Sequence, residues 1–429
     1  MDSVGATISD SEDDRVARPV SASDSPRIAS LDFIRGIAVM GILAANIVAF
    51  GQPMTAYMFP DAFTVPHSDA EDWMWVAQFV LIDSKMRGLF TLLFGAGMYL
   101  FLEGAWAKGR TNWLQVRRLL WLGLFGLVHF FFIWRGDILF HYACAGMIAL
   151  LFVGLSRRKQ LVIGLLGYVG GALLYTGFVG FLPVVSDTEF GEKPGMVQLA
   201  KDLEEGKQAD LADGVLETRL ISEGRYGDWV GHNFSDHGTD VPTTVLMFLF
   251  ETLPLMLVGM AAYRYGLFSG GIDARRQRQW GWSMLVLGTA LTLPIALLAK
   301  SMGLTYYGTL AAMVGWSFLP RLLAILGLLA LLALWGNSVR GALAERVSAA
   351  GRAAFTNYLG TSVLMMLVFH GWAGGLFGEL GRSELYLVTV SAWGVMLLWS
   401  KPWLERFRYG PLEWLWRCLT YGRVFPLRR

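Results

Sequence analysis

Long apolar runs separated by short polar segments dominate the sequence from residue 28 onwards. Most runs approach the roughly 20 residues that an α-helix needs to cross the ~30 Å hydrocarbon core of a bilayer. The pattern therefore predicts an all-α, polytopic integral membrane bundle of about ten transmembrane helices. The predicted spans are 33–50, 89–102, 119–134, 138–155, 161–182, 244–263, 281–298, 315–335, 353–376 and 385–399.

The apolar stretch at residues 76–102 is too long for one span. A single helix over it would measure about 40 Å at 1.5 Å per residue, which exceeds the hydrocarbon thickness. Asp83, Lys85 and Arg87 also interrupt it. We therefore predict an interfacial first part and a spanning second part. Lys85 then lies near the outer boundary, where it either snorkels to the headgroups or binds an anion or carbonyl group in a cavity.

Basic residues are distributed unevenly between alternate connecting segments. If the N-terminus is inside, the cytoplasmic segments collect 25 of the 36 Lys and Arg residues, as the positive-inside rule requires. Both termini are therefore predicted to be cytoplasmic. The predicted parts are a disordered tail (1–27), a first membrane part (28–182), an extracytoplasmic loop with short amphipathic helices (183–243), a second membrane part (244–400) and a basic, aromatic interfacial tail (401–429).

Composition supports this class and excludes others. Charged residues make up 16% of the chain and hydrophobic residues 54%, whereas soluble domains carry about 25% charged residues. The two cysteines, Cys144 and Cys418, suggest neither a disulfide framework nor a metal cluster. The mixture of Arg with Trp and Tyr in the C-terminal tail is typical of a helix lying in the headgroup region, not of a nucleic-acid-binding arm.

The hairpin Gly126–Gly146 carries the most informative polar residues. His129, Asp137 and His141 lie where two apolar helices meet at a turn. Ionisable groups are costly in hydrocarbon and usually face a cavity or a partner, so these three are candidate functional residues. Asp137 and His141 are one helical turn apart if a helix starts at Asp137. The alternative is structural: Asp137 caps the second helix, and each histidine only bonds a neighbour.

Further candidates lie on other predicted helices. Arg35 and Asn46 are eleven residues apart in the first helix and share one face, although Asn46 also suits simple helix–helix hydrogen bonding. Arg117 and Arg118 precede the hairpin at its cytoplasmic side. Arg321 falls inside an apolar run, so it requires a carboxylate or a cavity as its partner.

The outer loops contain two weaker patterns. His67 and Asp72 fit a His-x4-Asp acyltransferase pattern, but in so acidic a loop a chance match is the favoured interpretation. His232, Asp236, His237 and Asp240 lie close together in the second loop. Their spacing fits no tight metal-binding template. A solvated loop is therefore predicted there, and no metal site.

Several stretches together resemble the YeiB-like family of bacterial inner-membrane proteins, a domain of unknown function. They are SLDFIRGIAVMGILAANI, KMRGLFTLLFGAGMYL, RRLLWLGLFGLVHFFFIWRGDILFHYACAG, GRAAFTNYLGTSVLMMLVFHGW and WSKPWLERFRYGPLEWLWRCLTYGR. The resemblance implies a multi-pass protein of the bacterial inner membrane. It covers most of the chain from about residue 28. The sequence departs from the family pattern at Thr361, where Gln is expected.

That family is in turn similar to integral-membrane acyltransferases such as heparan-alpha-glucosaminide N-acetyltransferase. The shared first-helix pattern, Asp-x-x-Arg-Gly-x-Ala followed by Asn, falls here on Asp32, Arg35, Gly36, Ala38 and Asn46. The resemblance implies a catalytic histidine in the loop after this helix. His67 is in that loop but lies further along it than the pattern requires, so either His67 or His129 is the key histidine.

These residues suggest acyl transfer from cytoplasmic acyl-CoA, a co-substrate and not a permanently bound cofactor, to an extracytoplasmic or lipid-linked acceptor. The expected base is His129, with Asp137 setting its tautomer. The remaining candidates are expected to contact substrate: Arg35, Arg117 and Arg118 the phosphates, Lys85 or Asn46 the oxyanion or acceptor, and His141 the substrate.

A transporter of a small solute or amphipathic molecule, using the same polar residues, is the alternative. A non-catalytic membrane scaffold or sensor that uses the 183–243 loop is a third interpretation. The expected partners are membrane lipids and a small-molecule or glycan acceptor, without nucleic acid. A homodimer is compatible with the sequence.

Overall fold

The computed structural model describes residues 28–66 and 68–429, and the predicted tail 1–27 and His67 lie outside this part. Its secondary structure is almost entirely helical, which confirms the all-α class. The α-helices are α1 (Ala29–Gly51), α2 (Asp69–Leu81), α3 (Lys85–Trp106), α4 (Trp113–Phe132), α5 (Leu139–Ala149), α6 (Arg157–Phe178), α7 (Leu182–Ser186), α8 (Val197–Ser222), α9 (Tyr226–Ser235), α10 (Asp240–Arg264), α11 (Ala274–Ser301), α12 (Tyr306–Leu310), α13 (Phe318–Ser338), α14 (Ala342–Arg352), α15 (Ala354–Phe369), α16 (Arg382–Arg406) and α17 (Pro411–Tyr421).

Ten helical segments correspond to the ten predicted spans. Within the described residues, two of them, Leu139–Phe152 and Ala354–Phe369, are apolar but shorter, and α16 is long but less apolar. Among the described residues, seven helical stretches are long and apolar enough to cross a membrane: Ala29–Gly51, Asp69–Trp106, Trp113–Phe132, Arg157–Ser186, Asp240–Arg264, Ala274–Ser301 and Phe318–Ser338. The chain is therefore a polytopic membrane protein.

The stretch that is too long for one span does break where its charges lie. Helix α2 ends at Leu81, α3 begins at Lys85, and Ser84 between them adopts a left-handed conformation with φ of 60°. A non-glycine residue with positive φ interrupts a right-handed helix. The division into two helices agrees with the length argument made from sequence.

The charges divide the bundle into two ends. We call the basic end the one formed by segments 108–118, 157–159, 264–278, 340–352 and 401–429, and the acidic end the opposite one. At the acidic end, α8 and α9 cover the helix termini. Tyr226 in α9 donates a hydrogen bond to the Phe132 carbonyl at the end of α4 (2.7 Å), and Gly371 donates to the Ile221 carbonyl in α8 (2.9 Å). The segment after α6 thus forms an ordered helical cap on the bundle.

Helix α1 lies at the centre of the bundle, and small residues allow other helices to approach it. Most of its side chains are buried, including Ile34, Ala38 and Ile47. Helix α14 crosses α1 near the basic end, where a Cβ atom on Gly351 would overlap the Asp32 carbonyl oxygen. Without a strong hydrophobic driving force between helices in lipid, such close backbone packing is a principal source of association.

Replacing Gly351 with Ala should therefore destabilise the protein, because the added methyl group meets backbone and not a movable side chain. Overpacking of this kind costs about 1–3 kcal/mol. The expected result is a lower melting temperature for the purified protein in detergent. Gly360→Ala is the matched control, because a Cβ atom there meets nothing within 4 Å. Equal melting temperatures for the two variants would contradict this account of the crossing.

Candidate functional site

The hairpin between α4 and α5 buries a histidine–carboxylate pair. Asp137 Oδ1 lies 2.8 Å from His129 Nδ1, and the two side chains are 1% and 0% exposed. His129 lies one turn before the end of α4, and Asp137 lies two residues before α5 begins. Two of the three candidate groups of the hairpin therefore meet, and they do so inside the bundle.

Asp137 has a second, structural task. Its Oδ2 accepts a hydrogen bond from the backbone N–H of Phe140 in the first turn of α5, at 2.8 Å. Gly126, one turn before His129 on α4, makes this approach possible, since a Cβ atom there would overlap Asp137 Oδ2 and the Phe140 backbone. The capping role and the pairing role are thus both present, one on each carboxylate oxygen.

The second ring nitrogen of His129, Nε2, takes no part in the hydrogen bonds that stabilise the described fold. With Asp137 accepting from Nδ1–H, the neutral ring keeps its lone pair on Nε2. Nε2 is buried and has no hydrogen-bond partner among the described residues. The ring packs edge-on against Tyr358 of α15, with centroids 5.3 Å apart. Since buried polar atoms are nearly always paired, an unpaired lone pair in this setting suggests a reactive or ligand-binding role.

Tyr358 connects this pair to a large cavity. Its hydroxyl accepts a hydrogen bond from the Ile138 N–H at 3.3 Å, and its side chain lines a cavity of about 1810 Å³. Leu122, Leu139 and Tyr142 line the same region. The cavity therefore reaches Tyr358, whose ring contacts His129, while His129 and Asp137 do not themselves line it.

The rest of the cavity wall is rich in arginine and reaches the basic end. Among the described residues, the side-chain carboxylates that join the arginines there are those of Asp32, Glu103 and Glu413. The Glu413 carboxylate already accepts hydrogen bonds from the Phe355 and Thr356 backbone N–H groups, at 2.7 and 3.1 Å. The cavity mouth thus carries an excess of positive charge. In the described part of the chain, the arginines that line it are Arg35, Arg118, Arg157, Arg264, Arg352, Arg408, Arg417 and Arg429.

Two arginines predicted from sequence line this cavity. Arg35 pairs with Asp32 at 3.4 Å, as their spacing predicts. The Arg118 guanidinium lies between the rings of Phe101 and Trp416, 4.5 and 4.3 Å from their centroids. Stacking on two rings holds the guanidinium plane in one orientation.

The remaining predicted residues lie elsewhere in the described structure. Arg117 donates to the Leu419 carbonyl of α17 (3.3 Å), and Lys85 donates to the Phe79 carbonyl (2.9 Å) in a buried position. Asn46 is half-buried in α1, and His141 packs edge-on against Phe248 of α10. None of the four lines the cavity. Their substrate contacts stay predictions.

Two features of the site were missed from sequence. Tyr358 lies in the stretch GRAAFTNYLGTSVLMMLVFHGW, but nothing in the sequence distinguishes it from the other tyrosines. Glu251 in α10 is a lone carboxylate in a strongly apolar run, so the rule that selected His129 also applies to it. It accepts from Arg87 at 2.6 Å and lies 3.7 Å from Arg321. Arg321 therefore has the carboxylate partner that its position requires.

The comparisons with known proteins point to one family. The sequence profile described as "Protein of unknown function (DUF418)" matches residues 262–423. The chain is 30% identical over 415 residues to the protein YeiB of Escherichia coli (strain K12), covering 93% of this chain and 98% of that protein. It is 31% identical over 415 residues to YxaH of Bacillus subtilis (strain 168), covering 94% and 96%. Both relatives are described as uncharacterized. No solved structure matches.

Replacing Glu251 with Gln should leave the buried guanidinium of Arg321 and the partly exposed one of Arg87 without this counter-charge. Breaking a buried pair costs about 3–5 kcal/mol, and we expect about 2–3 kcal/mol because Arg87 is partly exposed. The free energy of unfolding in detergent measures the effect. Glu405→Gln, at an exposed position of α16, is the control and should change stability by less than about 0.5 kcal/mol. Equal losses in both variants would contradict a stabilising ion-pair network.

Proposed function

The chain belongs to the YeiB-like DUF418 family, and from the geometry of its cavity we propose that it is a membrane acyltransferase that uses acyl-CoA. One observation carries the proposal. An arginine-lined cavity extends from the basic end to Tyr358, whose ring contacts the buried His129–Asp137 pair. A large anionic donor bound in this cavity would therefore lie against the ring that contacts the proposed general base.

The cavity suits a coenzyme A thioester in size and charge. Sites for drug-sized ligands have volumes of roughly 300–1,000 Å³, whereas this cavity measures about 1810 Å³. The paired N–H donors of an arginine guanidinium match the geometry of phosphate oxygens. The aromatic rings beside Arg118 offer surfaces on which an adenine ring can stack. In this proposal the phosphates bind at the mouth, and the thioester arm extends along the apolar wall towards Tyr358.

The chemistry follows from the free nitrogen of His129. Nε2 accepts the proton of an acceptor hydroxyl or amine while the acceptor attacks the thioester carbonyl carbon. The C–S bond then breaks, and the coenzyme A thiolate leaves and takes that proton from the imidazolium. Asp137 holds the Nδ1–H tautomer and stabilises the imidazolium that forms. The Tyr358 hydroxyl, which already accepts from Ile138, has its own proton available for the developing oxyanion.

The proposal also assigns the membrane orientation. Basic segments face the cytoplasm in membrane proteins, so the arginine-rich mouth opens to the compartment that contains acyl-CoA. The membrane is then the bacterial inner membrane, with α8 and α9 on the extracytoplasmic side. The acceptor is a lipid-linked or extracytoplasmic small molecule or glycan.

A transporter is the second candidate, and the buried network of Arg87, Glu251 and Arg321 favours it. Intramembrane charges of this kind commonly line solute or proton paths. The two functions differ in a simple assay. The purified enzyme in detergent should release free coenzyme A thiol from acetyl-CoA without any gradient. A transporter should leave acetyl-CoA intact and move solute only in sealed vesicles.

His129→Ala should reduce thioester cleavage by about 10²–10⁴-fold, because the proton acceptor is lost. Asp137→Asn should also reduce the rate strongly, because the amide can still cap α5 but donates to Nδ1 and thereby favours the wrong tautomer. Thiol release from acetyl-CoA, with membrane lipid extract as the acceptor source, measures both rates. His370→Gln, a buried histidine beside Trp229 at the acidic end, is the control. Wild-type rates in folded His129→Ala protein would refute the base assignment.

Arg118→Gln should weaken acetyl-CoA binding about tenfold, which corresponds to about 1.4 kcal/mol. The same change should leave binding of S-acetylpantetheine nearly unaffected, because that thioester carries no phosphate. Calorimetric titration in detergent compares the two ligands. Arg158→Gln, an exposed arginine of the same end that does not line the cavity, serves as the control. A parallel loss for both ligands would argue against phosphate binding by Arg118.

A further inference from the structure

A second cluster of ionisable side chains lies at the acidic end, outside the cavity. His232 Nε2 and His237 Nε2 are 3.3 Å apart, and Asp213 Oδ1 lies 2.7 and 3.2 Å from them. Asp213 belongs to α8, His232 belongs to α9, and His237 follows α9. Helix α8 thus supplies the carboxylate, and the α9 region supplies both imidazoles. The three side chains are 28%, 10% and 14% exposed, so the cluster is accessible to ions from solvent.

The opposite nitrogen of each ring is already committed. His232 Nδ1 lies 2.9 Å from Asp236 Oδ2, and His237 Nδ1 lies 2.7 Å from Asp240 Oδ2. A carboxylate can only accept, so each Nδ1 carries a proton, and in a neutral ring the Nε2 lone pair is directed at Asp213. Nitrogen lone pairs and a carboxylate oxygen that converge in this way repel one another unless a proton or a metal ion lies between them.

Two of the three ligand-atom separations suit a tetrahedral metal ion, and the third, 2.7 Å between Asp213 and His232, is a hydrogen-bond distance. At Zn–N distances of about 2.0–2.1 Å, tetrahedral geometry places two ligand nitrogens about 3.3 Å apart. That value matches the separation of the two Nε2 atoms. Histidine ligands that donate their other N–H to a carboxylate are the usual arrangement at zinc sites, because the carboxylate orients the ring and increases its basicity. Asp236 and Asp240 accept hydrogen bonds from the Nδ1–H groups of His232 and His237 in this way.

Charged neighbours hold Asp213 in position. The other oxygen of Asp213 faces Arg135 at 3.4 Å, so the two carboxylate oxygens have separate partners. Arg135 also pairs with Glu217 of α8 at 2.8 Å. Asp213 is thereby held in place with Oδ1 directed at the two Nε2 atoms.

We propose that Asp213, His232 and His237 bind a divalent cation of the zinc type at the acidic end. Two imidazoles and one carboxylate are a donor set that suits zinc. The fourth tetrahedral position goes to water or to another ligand from solvent. The ion ties α8 to the α9 region. Since α9 is bonded to the end of α4 through Tyr226 and Phe132, the ion also fixes the cap over the His129 hairpin.

The test uses the full-length protein in detergent after its affinity tag has been removed. Equilibrium dialysis against Zn²⁺ followed by elemental analysis should find one zinc per chain. Cobalt(II) should give the intense visible absorption of a tetrahedral site. His232→Gln and Asp213→Asn should each lower zinc affinity at least 100-fold. Asp228→Asn is the control: it alters a carboxylate of α9 that is bonded to Arg225, and it should leave zinc affinity unchanged.

Asp236→Asn separates metal binding from folding, because it keeps all three ligands and removes only the negative charge beside His232 Nδ1. It should weaken zinc binding by about 10–100-fold while the protein stays folded. Zinc should also raise the melting temperature of the wild-type protein and of Asp228→Asn, but not that of His232→Gln. A wild-type protein that binds no more zinc than folded His232→Gln would overturn the proposal and leave the cluster as a proton-binding one.

Discussion

The hydrogen bond between Asp137 and His129 is the interaction on which the candidate site depends. Inside an apolar bundle a carboxylate persists only if its oxygens are paired, and here one oxygen bonds His129 while the other caps the Phe140 N–H of α5. The same side chain therefore sets the start of a helix and the tautomer of a histidine. Gly126 leaves the space for this approach. Asp137 therefore serves both the fold and the proposed chemistry, so a substitution at this position affects both.

Charge separation between the two ends organises the rest of the molecule. Arginines at the basic end surround a cavity, and stacking on Phe101 and Trp416 orients Arg118 towards it. At the acidic end, Asp213 of α8 and the two histidines of the α9 region form the proposed cation site. Arg135 links this cap to the hairpin, because it lies in the turn before Asp137 and pairs with Asp213 and Glu217. An ion at the cap would thus stabilise the turn that positions the His129–Asp137 pair.

Prediction from sequence succeeded where the signal was local. The apolar runs predicted the spanning segments, and the excess length of 76–102 predicted the break that occurs at Ile82–Ser84. His129 and Asp137 were predictable because a hairpin returns the chain upon itself within eight residues. Asp213 was not included among the metal-binding candidates, because it lies 19 and 24 residues before the two histidines on a different helix. Spacing templates do not cover such separations.

By itself the sequence determined the all-α membrane class, the ten helical segments and the distribution of charge, because hydrophobicity and charge act on each segment separately. Only the tertiary structure decided which polar residues share a space. Tyr358 reaches the hairpin from a position 220 residues after Ile138, and Glu251 reaches Arg87 across 164 residues. Arg35 lines the cavity, whereas Asn46 on the same helix does not. The physical reason is that side-chain proximity in a bundle depends on how helices pack and rotate against their neighbours, which no single helix specifies.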